Sequence, residues 1–193
     1  MRDALARLGS ATVGTPGGER VAGSIARWTA PLRVGVAGRP GVGKSAVARA
    51  LGQVSGVTPV EVHVVDSPDI PDAILDADLV LYVIVRTPHP ADLEALSGRH
   101  ATDTVVVLAK ADTLVDRDTA AAQAQASTSL PVVAIDTGDE ADASTLRAVV
   151  EAAFEGVASR RSRALLAELE AAGAAEPSVC EAVEAFLRDR ART

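Results

Sequence analysis

A single cysteine, a single tryptophan, one tyrosine and two phenylalanines are spread over 193 residues. One thiol, Cys180, excludes an internal disulfide and a thiolate metal cluster, and it suits a reducing compartment. With 2% aromatic residues against 48% hydrophobic ones, the core has to be built from Ala, Val and Leu, as in a parallel sheet covered by Ala-rich helices. Positive charge is also short. Nineteen Lys and Arg face 26 Asp and Glu, for a net charge of -7 and a pI near 5.0, so no general attraction to nucleic acid or an anionic bilayer is expected. No run approaches the roughly 18 apolar residues of a membrane span, and no apolar signal core opens the chain. The expectation is a soluble, cytoplasmic protein with no transmembrane segment and no nucleic-acid partner, long enough for one substantial core.

What the chain does have is Gly38-Arg39-Pro40-Gly41-Val42-Gly43-Lys44-Ser45, which satisfies G-x-x-x-x-G-K-[ST] at every fixed position. The apolar run from Leu32 to Ala37 precedes it and reads as a buried strand, and Ala46-Val47-Ala48-Arg49-Ala50-Leu51 follows at helical spacing. A polyphosphate needs several backbone N–H groups converging on it, and Gly38, Gly41 and Gly43 remove the side chains that would block that approach. The loop runs into a helix N-terminus, which favours negative charge. Lys44 adds a full positive charge near the terminal phosphates, and Ser45 is a candidate Mg2+ ligand. The nucleotide-binding set expected here is Gly38 through Ser45, including Arg39, Pro40 and Val42, together with Ala46.

Strand-like and helix-like segments alternate from Leu32 to about Ser159, as in an α/β domain with right-handed crossovers. The expected strands are Leu32 to Ala37, Val60 to Val65, Leu79 to Val85, Thr104 to Leu108 and Leu130 to Ile135; their flat hydrophobicity points to burial on both faces. Helices are expected at Ser45 to Gln53, Pro71 to Asp76, Pro90 to Ser97, Asp116 to Ser127 and Ala143 to Ala158. Ahead of this lies an N-terminal helical extension over residues 1–31, with Gly9 to Gly18 as a flexible link and Val21, Ile25 and Trp28 on one helical face. After it, residues 160–193 read as a helical hairpin broken near Gly173 and Pro177, suited to contacting a protein partner. The basic cluster Arg160-Arg161-Ser162-Arg163 reads as a solvated face or a helix-dipole cap.

Two later strand ends carry further signals. Val62-His63-Val64-Val65 ends in Asp66-Ser67-Pro68-Asp69, where Asp66 can hold Mg2+ through water; His63 reads as a strand residue. Val105 to Leu108 leads into Ala109-Lys110-Ala111-Asp112, and here the chain resembles the GTPases of the Ras-like and translation-factor-related superfamily, which end this strand with Asn/Thr-Lys-x-Asp. The resemblance implies that Asp112 accepts from the guanine ring while the Lys110 stem packs on its face. The chemistry is independent of the name, because a carboxylate pairs with both the ring N–H and the exocyclic amine of guanine and is left unpaired by adenine. Asp76-Ala77-Asp78 before Leu79 to Val85, followed by His89-Pro90-Ala91-Asp92, is similar to the middle of the bacterial Era-like branch. Asp136-Thr137-Gly138 falls where the family has its Ser-Ala-type guanine loop.

The family pattern is broken at several points. Ala109 stands where the family ties the guanine loop to the phosphate loop. Asp69 replaces a Gly whose N–H reaches the γ-phosphate; a carboxylate there brings a repulsion on the order of a few kcal/mol at short range. Ile70 stands where Ras-like members carry a water-orienting glutamine. Only 22 positions separate Lys44 from Asp66, too few for the family's first switch, and Thr58 is its one candidate threonine. The expected fold class is therefore a three-layer α/β P-loop NTPase domain over residues 32–159, its sheet mostly or wholly parallel, with helical extensions at both ends. The resemblance implies a GTP/GDP-binding protein with Mg2+, slow or partner-dependent as a GTPase. Lys44 and Asp66 are the candidate catalytic residues, Ser45 and Asp66 the candidate metal ligands, and Lys110, Asp112, Asp136 and Thr137 the base-side contacts. A degenerate G domain serving as an interaction module and an ATP-dependent P-loop kinase or ATPase stand as alternatives.

Overall fold

The computed structural model describes residues 1–52, 61–66 and 74–190, and they form two compact units. Pro31–Val157 is one unit; Met1–Ala30 together with Ala158–Thr193 is the other.

The first unit is built on five parallel strands in the order β2-β1-β3-β4-β5: β1 Val34–Ala37, β2 Glu61–Val62, β3 Leu79–Ile84, β4 Thr104–Ala109 and β5 Val132–Ile135. Residues of β1, β3 and β4 are buried throughout, which is why their sequences carry Val, Leu and Ile without alternation. Helices cover both faces. α3 (Lys44–Leu51) and the first turns of α6 (Glu140–Ala175) lie on one, where Val47, Leu51, Leu146 and Val150 pack on Val36, Leu81 and Val107. α4 (Pro90–Leu96) and α5 (Arg117–Thr128) lie on the other, where Leu96 and Ala124 pack on Val80, Tyr82 and Val106. The result is the expected three-layer α/β fold. β1 pairs with β2 on one side and β3 on the other, so the chain reverses its order around β1, and the crevice outside the strands' C-terminal ends there is the ligand position of such sheets. At the opposite edge Arg33 donates its amide to Asp78 (2.8 Å) and pairs with Asp76 (3.1 Å), so those two acids anchor the start of β1.

The second unit joins α1 (Arg2–Thr12), α2 (Gly18–Thr29), the C-terminal turns of α6 and α7 (Pro177–Arg190) around Leu5, Leu8, Val21, Leu165, Leu169, Val179, Val183 and Phe186. The segments read from sequence as two extensions thus share one core. Trp28 packs against it and donates Nε1–H to Ser162 Oγ at 3.1 Å. Arg161 donates to the carbonyl of Ala30, the residue that ends α2, which is the dipole-cap role. The stretch expected as a flexible link is otherwise: Gly9 to Thr12 continue α1, and Thr15 closes a tight turn with its hydroxyl on Thr12 O at 2.7 Å. Glycine serves proximity there, since a Cβ on Gly18 would stand 2.0 Å from the Thr12 carbonyl oxygen.

α6 also departs from expectation. Ala143 to Ala158 and the first tail helix are one helix of 36 residues, because no proline or glycine interrupts Ala158-Ser159-Arg160. It ends at Ala175, and Gly173 lies inside it with Val183 of α7 3.3 Å from where a Cβ would be. The expected helix from Pro71 falls partly outside the described residues, as do Thr58, Asp69 and Ile70; Leu75 and Asp76 are not helical. Among the described residues no helix is long and apolar enough to cross a membrane.

Leu169 is fully buried in the second core. Truncation to alanine is expected to lower the stability of that unit by about 2–5 kcal/mol. Denaturant unfolding followed by Trp28, the protein's only tryptophan and a member of the same core, measures it.

Candidate functional site

β1 stops at Ala37 and α3 starts at Lys44, so the glycine-rich loop connects the central strand to a helix N-terminus. Gly38, Gly41 and Gly43 have φ of 145°, 78° and 104°, a region side chains disfavour. At Gly38 the demand is also steric: a Cβ would lie 2.5 Å from the backbone oxygen of Val83 in β3. Val42 is buried and pins the middle of the loop to the core, while Gly41 faces open space. The first helical bonds run from Ala46 and Val47 to Gly43 O, which leaves the Lys44 and Ser45 amides at the open end of the helix.

Lys44 is buried, and its ammonium reaches back across the loop to donate to Arg39 O at 2.7 Å. Burial lowers its pKa from the ordinary lysine value. Ser45 is exposed, and among the described residues its hydroxyl makes no hydrogen bond. The chain continues the β2 pairing beyond the strand, with His63 N–H donating to Val36 O (2.8 Å) and Val65 N–H to Gly38 O (3.2 Å). Asp66 therefore follows a residue bonded directly to the phosphate loop. It is exposed and left-handed, at φ 57°. The His63 ring lies against Gly35.

At the end of β4, Lys110 is left-handed with φ 58°, and its Nζ donates to Gly41 O at 3.3 Å. A single 3₁₀ turn over Ala111–Thr113 follows, held by the Thr113 amide (3.0 Å) and hydroxyl (2.8 Å) on Lys110 O, and it presents an exposed Asp112. Ala109 is buried and its Cβ lies 4.0 Å from the Cβ position of Gly43. Lys110 thus makes the link to the phosphate loop that Ala109 has no side chain to make.

The loop after β5 is held from two sides. Asp136 N–H donates to Asp142 of α6 (2.8 Å), and Asp136 Oδ1 accepts from Gly138 N–H (2.9 Å). Arg117 of α5 pairs with Asp142 at 2.9 Å and donates to Ala134 O at 2.6 Å. Nothing in the sequence marked Arg117 and Asp142, whose separation of 25 residues follows no motif. Between this loop and α3 lies a cavity of about 390 Å³ lined by Ala46, Arg49, Gly52, Thr137, Gly138 and Arg147. Among the described residues no group of three His, Cys, Asp or Glu could hold a metal alone.

The strand order, the loop geometry and the helix behind it define a P-loop NTPase domain with helical extensions. No family model matches the chain, and no curated protein sequence is significantly similar to it. Solved structures similar to it include a GTP-binding protein from the hyperthermophilic archaeon Sulfolobus solfataricus in complex with GDP, 14% identical over 82% of this chain and 67% of that one, with a TM-score of 0.47. Another is Toc33 from Arabidopsis thaliana in complex with Mg2+ and GMPPNP, 15% identical over 75% of this chain and 96% of that one, with a TM-score of 0.41. Likeness at this level adds no functional argument to the geometry.

The Arg117 guanidinium hydrogen-bonded to Asp142 holds that carboxyl below its ordinary value, against partial burial and with help from the Asp136 amide. A depressed folded-state pKa places the stabilising contact above the ordinary carboxylate range and loses it only as pH falls below that range. The Asp142 side-chain carboxyl carbon resonance is therefore expected to keep its ionised position from neutral pH down through ordinary carboxylate titration and to move only in stronger acid. The Asp142→Asn protein is expected to lack that acid step.

Proposed function

We propose that the chain is a guanine-nucleotide-binding protein of the Era-like type, slow or partner-dependent as a GTPase. The observation that carries this reading is the Lys110 Nζ–Gly41 O bond, which draws the segment bearing Asp112 onto the phosphate loop. The phosphate-binding loop and the base-reading Asp112 share, in this reading, one crevice at the strands' C-terminal ends, with the Asp136-Thr137 loop at its rim. In this reading the loop amides and Lys44 hold the phosphates. One of the three Lys44 N–H donors rests on the Arg39 carbonyl and the others are left for the phosphates, whose charge makes them the stronger partners for an ammonium. The Lys110 stem supports the purine and Asp112 accepts from its N–H and amine edge, with Asp136 and Thr137 at the outer rim.

The donor set suits Mg2+. Ser45 and Asp66 offer hard oxygens, and an ion that keeps several waters and leans on substrate phosphates needs no all-protein cage. When bound, the ion would neutralise charge on the phosphates. Hydrolysis, where a partner completes the site, is in-line attack by water on the γ-phosphate, with developing charge met by Lys44 and the loop amides. Ala109 beside Gly43 favours the second reading, a degenerate G domain that holds nucleotide for structure or holds none and works as an interaction module through its helical tail.

Calorimetry with GDP, GTP and ATP in the presence of Mg2+ tests the proposal on the wild type and Asp112→Ala. Guanine nucleotides are expected to bind, ATP to bind at least tenfold more weakly, and the variant to lose that preference as the paired carboxylate is removed, a change on the order of 1–3 kcal/mol. Equal binding of ATP and GTP by the wild type overturns the guanine assignment.

A further inference from the structure

One charged group near the loop is not used by the reading above. Asp92, at the third position of α4, is 1% exposed. Its Oδ2 accepts from the His89 amide at 2.8 Å and so closes the helix cap. That task needs no burial and only one oxygen. The other, Oδ1, accepts from the fully buried Tyr82 hydroxyl (3.1 Å) and from Nε of Arg39 (3.1 Å), the second residue of the phosphate loop. A carboxylate in this setting is strongly unfavourable unless paired, so Arg39 and Asp92 hold one another in place.

The consequence passes along the backbone. The carbonyl that receives the Lys44 ammonium at 2.7 Å belongs to Arg39, and Pro40 after it disfavours helical backbone at Arg39. We propose that Asp92 is a positioning residue of the phosphate site: by holding the Arg39 guanidinium it fixes the carbonyl on which the Lys44 ammonium rests, and so presets the loop for a polyphosphate. The pairing also neutralises Arg39 within the protein, so the charge offered to the ligand comes from Lys44 and the loop amides. This inference rests on the loop being a phosphate site and does not depend on which base is read.

The probe is inorganic pyrophosphate with Mg2+, measured by calorimetry on the full chain in the wild type, Asp92→Asn, Arg39→Met, their double variant and His89→Ala. Hydrogen exchange of residues 38–44 is followed in the same ligand-free proteins. Asp92→Asn and Arg39→Met are each expected to weaken binding about tenfold, the value of one charge-assisted hydrogen bond, and the double variant to be no weaker than the worse single. Both are expected to speed exchange in the loop. His89→Ala removes the other half of the same helix cap, where Nδ1 accepts from the Ala91 amide, and is expected to lower Tm while keeping affinity and loop exchange. Wild-type affinity in Asp92→Asn, equal losses in His89→Ala, or losses that multiply in the double variant overturn the proposal. Should the wild type bind no pyrophosphate, the phosphate reading fails, and loop exchange decides the positioning role separately: unchanged exchange in Asp92→Asn overturns it.

Discussion

The carboxyl edge of this sheet depends on how closely two backbones approach. Gly38 sits against the Val83 carbonyl with no room for a Cβ, so the turn out of β1 lies flat on its neighbouring strand. That contact fixes the origin of the phosphate loop, and β2 completes it from the other side through Val65 N–H on Gly38 O. With both flanks of Gly38 committed to backbone, the loop has one place to go, over the end of β1 and into α3. The cost is conformational, since three glycines are needed within six residues.

Around that origin the edge is assembled by long polar reaches more than by packing. Lys110 crosses from β4 to Gly41, and Arg117 bridges α5, the end of β5 and α6 through Ala134 and Asp142. Three non-glycine residues at successive strand ends, Asp66, Arg86 and Lys110, take left-handed backbone. Such conformations are unfavourable for residues with a Cβ and gather where a sheet must aim its side chains. For Arg86 and Lys110 the buried strands behind them supply the rigidity that makes the strain tolerable. Ala109 shows the same division of labour from the other direction, because its small side chain leaves the phosphate-loop tie to the flexible stem beside it.

Much of the first unit was legible because its signals are local. A strand buried on both faces announces itself by a run such as Leu79 to Ile84, and the phosphate loop by glycine positions that only one backbone path explains. The run Ala109 to Asp112 was readable as a pattern, and the structure brings Lys110 to the glycine-rich loop. What was not legible is pairing at long range. Nothing in the order of residues says that Asp92 faces Arg39 or that Asp142 faces Arg117, since each depends on which helix covers which strand. The second unit was hidden for the same reason. Leu5, Leu8 and Val21 mark amphipathic helices, but their partners Leu165, Leu169 and Val183 lie beyond the whole sheet. Glycine misled most where its role was proximity, as at Gly18 and Gly173.

The shared core of the helical unit bears on synthesis. α1 and α2 leave the ribosome before the sheet unit, yet the apolar face of Val21 and Ile25 and the ion pair from Arg20 to Glu176 find their partners about 150 residues later. The sheet unit closes within its own contiguous stretch and can fold while the chain is still growing. Loop-closure entropy grows only slowly with length, and an already compact insert brings the two ends of the helical unit nearer than an unfolded one would. Until α7 emerges, the first two helices carry an uncovered Leu and Val surface. This is the interval in which the nascent chain is most open to chaperone capture or to pairing with a neighbouring copy.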